Sequence, residues 1–211
     1  MKVFHAIKAM SNYSSWIPNR VVVDNMEEAD IVFFEGGTDV FAGRYGEVSH
    51  PYAEYPDHKR DEREIKLYHQ AVSLGKPIIG ICRGSQLACV MNNGRLVQDQ
   101  PNPRGVHDII TYDGHVIPMT STHHQAQFPF NLVEGSDYKL LAWTEGMLKY
   151  HEDGNRNEMN PPVEAEIVYY PKTRTLAIQG HPEYVRRDDK KFSSMFEWLD
   201  EKVNLLLTNK L

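Results

Sequence analysis

A chain of 211 residues, 41% hydrophobic and 25% charged, has the make-up of one soluble globular domain and is short for two. A formal net charge of -6, with no dense Lys/Arg run, argues against a nucleic-acid surface. No apolar stretch reaches bilayer length, and Met1-Lys2-Val3-Phe4-His5 lacks a signal peptide's apolar core, so neither a membrane nor an export role is expected. Cys82 and Cys89 lie seven apart, in or beside one helix where they cannot readily bridge, which points to a reducing, cytoplasmic setting.

Strands and helices alternate along the first half. Residues 2–7 read as a short strand, Val21-Val22-Val23 as a second, and 29–34 as a third that ends at Glu35-Gly36-Gly37-Thr38-Asp39. After a polar loop rich in Tyr, Pro and His, residues 59–74 carry Ile65, Leu67, Tyr68, Ala71, Val72 and Leu74 as an apolar helix face. Gly75 stands where a C′ glycine ends a helix. Residues 77–81 form the expected central buried strand. Short βαβ spacing with continuous apolar strands predicts a mostly parallel sheet with helices on both faces.

From Gly105 the texture changes to hairpin-like strands: 106–111, a turn at Asp113-Gly114, then 115–118. Segments 139–143, 163–170 and 174–179 continue it. Residues 151–162, with Gly154, three Asn and Pro161-Pro162, are expected as a mobile loop within the domain. Residues 188–207 read as a final helix with Phe192, Met195, Phe196, Leu199, Val203 and Leu206 inward. No internal repeat or low-complexity segment intervenes, so residues 1–211 read as a single domain.

The segment that speaks most about chemistry is Lys76-Pro77-Ile78-Ile79-Gly80-Ile81-Cys82-Arg83-Gly84-Ser85-Gln86. An apolar strand ends in Gly-x-Cys-x-Gly, and Leu87-Ala88-Cys89-Val90-Met91 continues as a helix, with Cys89 on its core side. This is the nucleophile-elbow pattern with cysteine in the place of serine. A Cβ at Gly80 or Gly84 would collide with neighbouring backbone in so tight a turn. The turn lifts the thiol above the sheet at a helix N-terminus, where the dipole favours the thiolate.

Taken alone, Gly-x-Cys-x-Gly also suits a buried structural cysteine. His181-Pro182-Glu183, just after a strand far downstream, tips the reading. A cysteine needs a base to become a thiolate, and the base needs a third group to fix its tautomer. His181 and Glu183 fill those roles if Pro182 turns both side chains back over the sheet.

Other conspicuous residues have plainer readings. His123-His124, with His107 and His115 nearby, could suggest a metal. Adjacent residues on an extended chain point to opposite sides, and no second ligand pair at metal spacing is present, so no metal is expected. Asp188-Asp189-Lys190-Lys191 reads as a solvated helix start. Trp16, Trp143 and Trp198 read as core or interface anchors, and Tyr45, Tyr52 and Tyr55 belong either to a cap over the site or to a surface loop.

The Gly80–Gln86 motif together with His181-Pro182-Glu183 resembles the class I glutamine amidotransferases, and in particular their γ-glutamyl hydrolase branch, which includes γ-glutamyl-γ-aminobutyrate hydrolases. Glu35-Gly36-Gly37-Thr38-Asp39-Val40 is similar to that branch's Gly-Gly-x-Asp-Val turn. Tyr45-Gly46-Glu47, Lys59-Arg60-Asp61 and Ser121-Thr122-His123-His124-Gln125 are similar to its Tyr-Gly-Glu, Arg-Asp and Ser-x-His-His-Gln segments. The resemblance runs in order from about Ile31 to Tyr184. It thins before Ile31, where the opening βαβ unit is abbreviated, and again over residues 139–162.

The resemblance implies a three-layer α/β/α sandwich of the flavodoxin-like amidotransferase kind, with a small antiparallel extension and no cofactor. It implies that Cys82 attacks the γ-carbonyl of a glutamine-like side chain, that His181 moves the protons, and that Glu183 orients His181. Backbone N–H groups of Arg83 and of Gly36-Gly37 would hold the oxyanion, leaving the Arg83 guanidinium for another task. Gln86, Ser121, His123, His124 and Gln125 would line the glutamyl pocket. Three functions fit: a stand-alone hydrolase of γ-glutamyl amides, a glutaminase subunit delivering ammonia to a separate synthetase chain, and a catalytically dead scaffold. No residue of the implied triad is missing, which ranks the scaffold last. The leaving amine, the pathway and the oligomeric state are not legible.

Overall fold

The computed structural model describes residues 1–101, 105–145 and 150–211. Its elements in chain order are β1 (Lys2–His5), β2 (Val21–Val23), β3 (Ile31–Phe34), α1 (His58–Ser73), β4 (Ile78–Ile81), α2 (Arg83–Met91) and β5 (Arg95–Val97). There follow β6 (Gly105–Thr111), β7 (Val116–Ser121), β8 (Ala126–Phe128), β9 (Lys139–Thr144), β10 (Glu164–Tyr170), β11 (Thr175–Ile178) and α3 (Ser193–Leu207). Nine strands form one sheet in the order β2-β1-β3-β4-β11-β10-β9-β6-β7, while β5 and β8 pair separately. The strands from β2 to β11 are parallel, and from β11 onward each pairing is antiparallel. The antiparallel extension thus amounts to four strands.

Side-chain alternation sorts the core into two layers. Ile31, Phe33, Ile79, Ile81 and Ile178 face Met195, Phe196, Leu199, Val203 and Leu206 of α3. Val32, Phe34, Ile78 and Ala177 face Tyr68 and Ala71 of α1 and Leu87, Ala88 and Cys89 of α2. Every residue of β3, β4 and β11 is buried, as strands covered on both faces require. The result is the expected α/β/α sandwich. Asp57 caps α1 by accepting from Arg60 N (3.0 Å), and Gly75, at φ +64°, ends it as expected.

Several expectations are corrected. The last helix begins at Ser193, five residues after the expected start. Asp188 turns to the Arg186 guanidinium (2.9 and 2.7 Å), and Asp189 accepts from Lys191 N (3.0 Å) to cap a short 3₁₀ turn, Lys190–Phe192. The acids that read as a helix start are engaged in local turns before it. A 3₁₀ helix, Lys8–Ser14, replaces any α-helix between β1 and β2. The 151–162 segment is pinned: Glu152 bridges to Asp99 and Glu158, Asp153 caps Asn155 and Asn157, and Met159 is buried. Ser121, expected in a loop, is the last residue of β7. Strands β5 and β8 are not anticipated in the sequence, being three residues each.

Parallel order brings the C-terminal ends of β3, β4 and β11 to one rim. The antiparallel half curls back onto that rim from the far side. His181 N donates to Thr120 O (2.9 Å), and a Cβ on Gly180 would meet the Met119 side chain at 2.3 Å. Strand β7, at the sheet's opposite edge from β2, therefore ends beside the segment that follows β11.

Candidate active site

Cys82 sits between β4 and α2 at φ +51°, ψ -107°, a conformation that side chains rarely adopt. Its N–H is tied to Ile178 O (2.8 Å), and its carbonyl receives Ser85 N (3.0 Å), Gln86 N (3.1 Å) and Ser85 Oγ (2.6 Å). The flanking glycines are needed for contact reasons. A Cβ on Gly80 would lie 2.4 Å from Gly84 O, and one on Gly84 would lie 2.0 Å from Phe34 O. Cys89, about two turns along α2, is fully buried, and burial pushes its thiol up to about 12.

His181 follows β11 and donates at Nδ1 to Glu183 Oε1, 2.7 Å away. Pro182 opens a one-turn 3₁₀ helix, so residues 181 and 183 turn back to the same side. Nε2 of His181 is buried without a hydrogen-bond partner among the described residues. Burial opposes a charge on this ring, yet Cys82 and Glu183 outweigh it and raise its pKa to about 9. Tyr184 stacks on the imidazole, with centroids 4.2 Å apart and planes 4° apart, and Tyr13 flanks the ring at 6.1 Å. The arrangement is that of a thiol, a base held by a carboxylate, and an aromatic wall.

The Gly36-Gly37 turn faces this pair from the end of β3. Gly37 has φ +139°, and a Cβ on Gly36 would stand 2.7 Å from the Tyr13 hydroxyl. No acceptor among the described residues takes the N–H of Gly36, Gly37 or Arg83. The turn is braced from two sides. Arg60 donates to Gly36 O (2.8 Å) and Glu35 O (3.2 Å). The Glu35 carboxylate, wholly buried, meets His5 Nδ1 (2.7 Å) and Ile7 N (3.0 Å), and His5 Nε2 meets Ser14 Oγ (2.8 Å). Burial raises the Glu35 pKa, and the His5 contacts work against that rise.

Arg83 has the second task left open in the sequence. Its guanidinium is 1% exposed and binds Asp61 Oδ1 (2.5 Å) and Glu64, both wholly buried on α1. Glu64 also accepts from Arg60 Nε (2.9 Å). One buried ion network thus joins the elbow to the helix that braces the glycine turn.

The remaining expected site residues are brought to the same rim with one exception. Gln86 is buried and donates to Gln125 O (2.8 Å). Ser121, His123 and Gln125 are buried, with Ser121 Oγ, His123 Nε2 and Gln125 Oε1 unpartnered among the described residues. His124 points the other way, as adjacency on an extended chain requires. It sits between Asp39 Oδ2 (3.1 Å) and Asp99 Oδ1 (3.3 Å), and the Asp39 hydrogen bond foremost raises its pKa to about 9. It joins Asp39, after the glycine turn, to Asp99, after β5. Sequence reasoning missed Tyr13, Tyr184, His5, Glu35 and Glu166. The available signal was an ionisable residue inside an apolar strand or at its end, as at His5, Glu35 and Glu166.

The family model Peptidase C26 matches residues 4–148 of this sequence. The chain belongs to the Peptidase C26 family. A candidate glutamine amidotransferase of Mycobacterium tuberculosis is 38% identical over 173 residues, covering 77% of this chain. The chain spans about half of that relative's length, 53%. A glutamine amidotransferase from Thermotoga maritima shares the fold with a TM-score of 0.58 at 14% identity, covering 100% of this chain and 90% of that one. The glutaminase domain of a Trypanosoma brucei CTPS, solved with acivicin, does so with 0.59 at 11%, covering 100% and 94%. The motif-based resemblance to class I glutamine amidotransferases is borne out, and the two solved structures carry it at the level of the fold.

One further cluster in this Peptidase C26 chain could hold a metal. His50, Asp99 and Glu152 place one possible ligand atom each within 4.8 Å of one another. Tyr52 N donates to His50 Nδ1 (3.1 Å), so the ring proton sits on Nε2, which faces Glu152 Oε2 at 3.0 Å. That tautomer leaves the imidazole no lone pair for an ion. The cluster is a hydrogen-bonded tie between the 47–54 loop and the 151–162 segment. No helix among the described residues is long and apolar enough to cross a membrane.

Proposed function

We propose that residues 1–211 act as one Peptidase C26 unit that hydrolyses γ-glutamyl amide bonds, with Cys82 as nucleophile, His181 as base and acid, and Glu183 as its orienter. The observation that carries this is the elbow thiol acting directly on the His181 imidazole, whose Nδ1 is held by Glu183 at 2.7 Å. His181 takes the thiol proton, and Cys82 Sγ forms a bond to the γ-carbonyl carbon. The resulting oxyanion accepts from the N–H groups of Arg83 and the Gly36-Gly37 turn. In other enzymes, loss of one such donor costs about 2.7–4 kcal/mol. The C–N bond then breaks as His181 gives its proton to the departing amine or ammonia. Water, deprotonated by the same ring, attacks the thioester, and glutamate leaves as the C–S bond breaks. Gln86, Ser121, His123 and Gln125 line the glutamyl side. The chemistry needs no metal or cofactor.

The test is glutamate release from glutamine and a panel of γ-glutamyl amines, beside Cys82→Ala. Turnover that disappears in the variant is the expected result; unchanged turnover in Cys82→Ala would refute the nucleophile assignment. A second reading, ammonia delivery to a separate synthetase chain, is favoured by one observation: Cys82 is only 8% exposed and His181 2%. Under it, the isolated chain is silent while a glutamine-mimicking electrophile still labels Cys82.

A further inference from the structure

Glu166 is a carboxylate inside a core strand. Its neighbours Ala165, Ile167 and Val168 are buried, it is itself 3% exposed, and the pairing of β10 with β9 slips on either side of Ile167. Oε1 accepts from His107 Nε2 (3.0 Å) and lies 3.5 Å from Thr144 Oγ1. Oε2 is buried and receives no donor among the described residues. His123 presents a matching vacancy. Nδ1 has two neighbours, Gln125 O (3.0 Å) and the Gln100 side-chain amide (3.3 Å); the carbonyl can only accept, so Nδ1 carries the proton and the amide presents its otherwise unpartnered oxygen. Burial holds the ring's pKa down to about 4, so at neutral pH Nε2 is a bare lone pair without a donor. Glu166, His107 and His181 all lie close enough to act electrostatically on His123. The Ser121 hydroxyl, fully buried, is unpartnered as well.

These groups lie beside the proposed chemistry. Gln179 N donates to Glu166 O (2.8 Å) and His181 N donates to Thr120 O (2.9 Å), so the backbone at Glu166 and at Thr120, next to Ser121, flanks the 179–181 segment, and His181 is close enough to His123 to act on it electrostatically. A buried acceptor left without a donor costs about 1–3 kcal/mol, and native proteins supply partners for nearly all of them. Two such acceptors, one of them a carboxylate, call for a cation bearing N–H groups.

We propose that Glu166 and His123 seat a primary ammonium group, the α-ammonium of the γ-glutamyl donor, and thereby select donors whose α-amino group is free. This rests on the γ-glutamyl reading above. An ammonium offers three N–H donors, which match Glu166 Oε2, His123 Nε2 and Ser121 Oγ. An N-acylated glutamyl group offers one N–H and no positive charge to meet the Glu166 carboxylate. A donor without the α-amino group offers none.

The experiment is calorimetric binding to Cys82→Ala, which cannot turn the ligand over, with L-glutamine, N-acetyl-L-glutamine and glutaramic acid. L-glutamine should bind at least about tenfold tighter than the other two, as expected for a charge-assisted hydrogen bond. Adding Glu166→Gln should bring L-glutamine to the level of glutaramic acid and leave glutaramic acid unchanged. Equal affinities for the three ligands on Cys82→Ala would overturn the proposal without any change at Glu166. Equal weakening of all three by Glu166→Gln would overturn it too, by assigning Glu166 to packing. Hydrolysis of γ-glutamyl amides by the unmodified chain without α-amino discrimination removes this inference alone. Absence of hydrolysis, glutamine binding and Cys82 labelling together removes the parent reading and this one with it.

Discussion

Arg83 sends its guanidinium away from the active-site rim, to Asp61 at 2.5 Å, while its N–H stays at the rim beside Cys82. The side chain therefore works through packing and charge, which leaves the backbone N–H for the role in the mechanism proposed above. Replacing it by Met leaves Asp61 and Glu64 buried without their bridging cation. Arg83→Met should lose about 3–5 kcal/mol of stability, the usual penalty for stranding one side of a buried pair. Chemical denaturation measures it, and a loss below about 1 kcal/mol would show that the network is dispensable.

Gly84 makes a sharper prediction because its obstacle is backbone. The Phe34 carbonyl that a Cβ would meet at 2.0 Å belongs to the central strand β3 and cannot swing aside. Gly84→Ala should destabilise by about 3 kcal/mol or more, at the upper end of overpacking effects. A variant with the parent's denaturation midpoint would contradict the contact.

Cys82 holds a positive φ that a Cβ disfavours. Strain of this kind is worth about 1–3 kcal/mol, so Cys82→Gly should be more stable than Cys82→Ala by roughly 1 kcal/mol or more. Both variants should be inactive. Equal melting of the two would mean that the elbow is unstrained.

The His181–Glu183 pair predicts the alkaline limb of the activity profile. Cys82 and Glu183 hold the imidazole charged to about pH 9 against the opposing effect of burial, so activity that needs the charged ring should fall as pH rises through that value. Removing the Glu183 charge weakens the preference for imidazolium, so Glu183→Gln should move the limb to lower pH and lower kcat. A limb that stays near pH 9 in the variant would assign it to another group.

Stability should follow the two buried histidines in opposite senses. For His181 the folded pKa is raised, so its contribution is complete below about 6.5 and is lost as pH rises towards 9. For His123, burial lowers the folded pKa to about 4, so its contribution is present above about 6.5 and is lost as pH falls towards 4. Thermal melts of His123→Asn should lose part of the parent's decline between pH 6.5 and 4. An unaltered acid slope would place that decline elsewhere.

Much of the framework was legible because it rests on local pattern. The continuous apolar runs at β3, β4 and β11 announced a doubly covered parallel sheet, and Gly75 and Asp113-Gly114 marked real turns. The glycines at 80 and 84 declared the elbow because only a strand-to-helix turn of that tightness needs both. The less legible parts fail for local reasons as well. Acids at 188–189 suit a helix start in sequence, yet Arg186 and the Lys191 amide claim them first. The three-residue ribbon strands β5 and β8 are too short to show a period.

Linear order sufficed for the elbow cysteine, the glycine turn and the His-Pro-Glu step, because each is a steric or hydrogen-bonding requirement spanning a few residues. What only the tertiary structure decided is which distant groups share a desolvated space. His5 and Glu35 are thirty residues apart, Arg83 and Asp61 twenty-two, and His107 and Glu166 fifty-nine. Their partnerships arise from strand order and from the curl of the antiparallel half onto β11, and burial then makes each partnership compulsory. A charge that would be unremarkable on the surface becomes a brace, or an open acceptor, once the sheet closes around it.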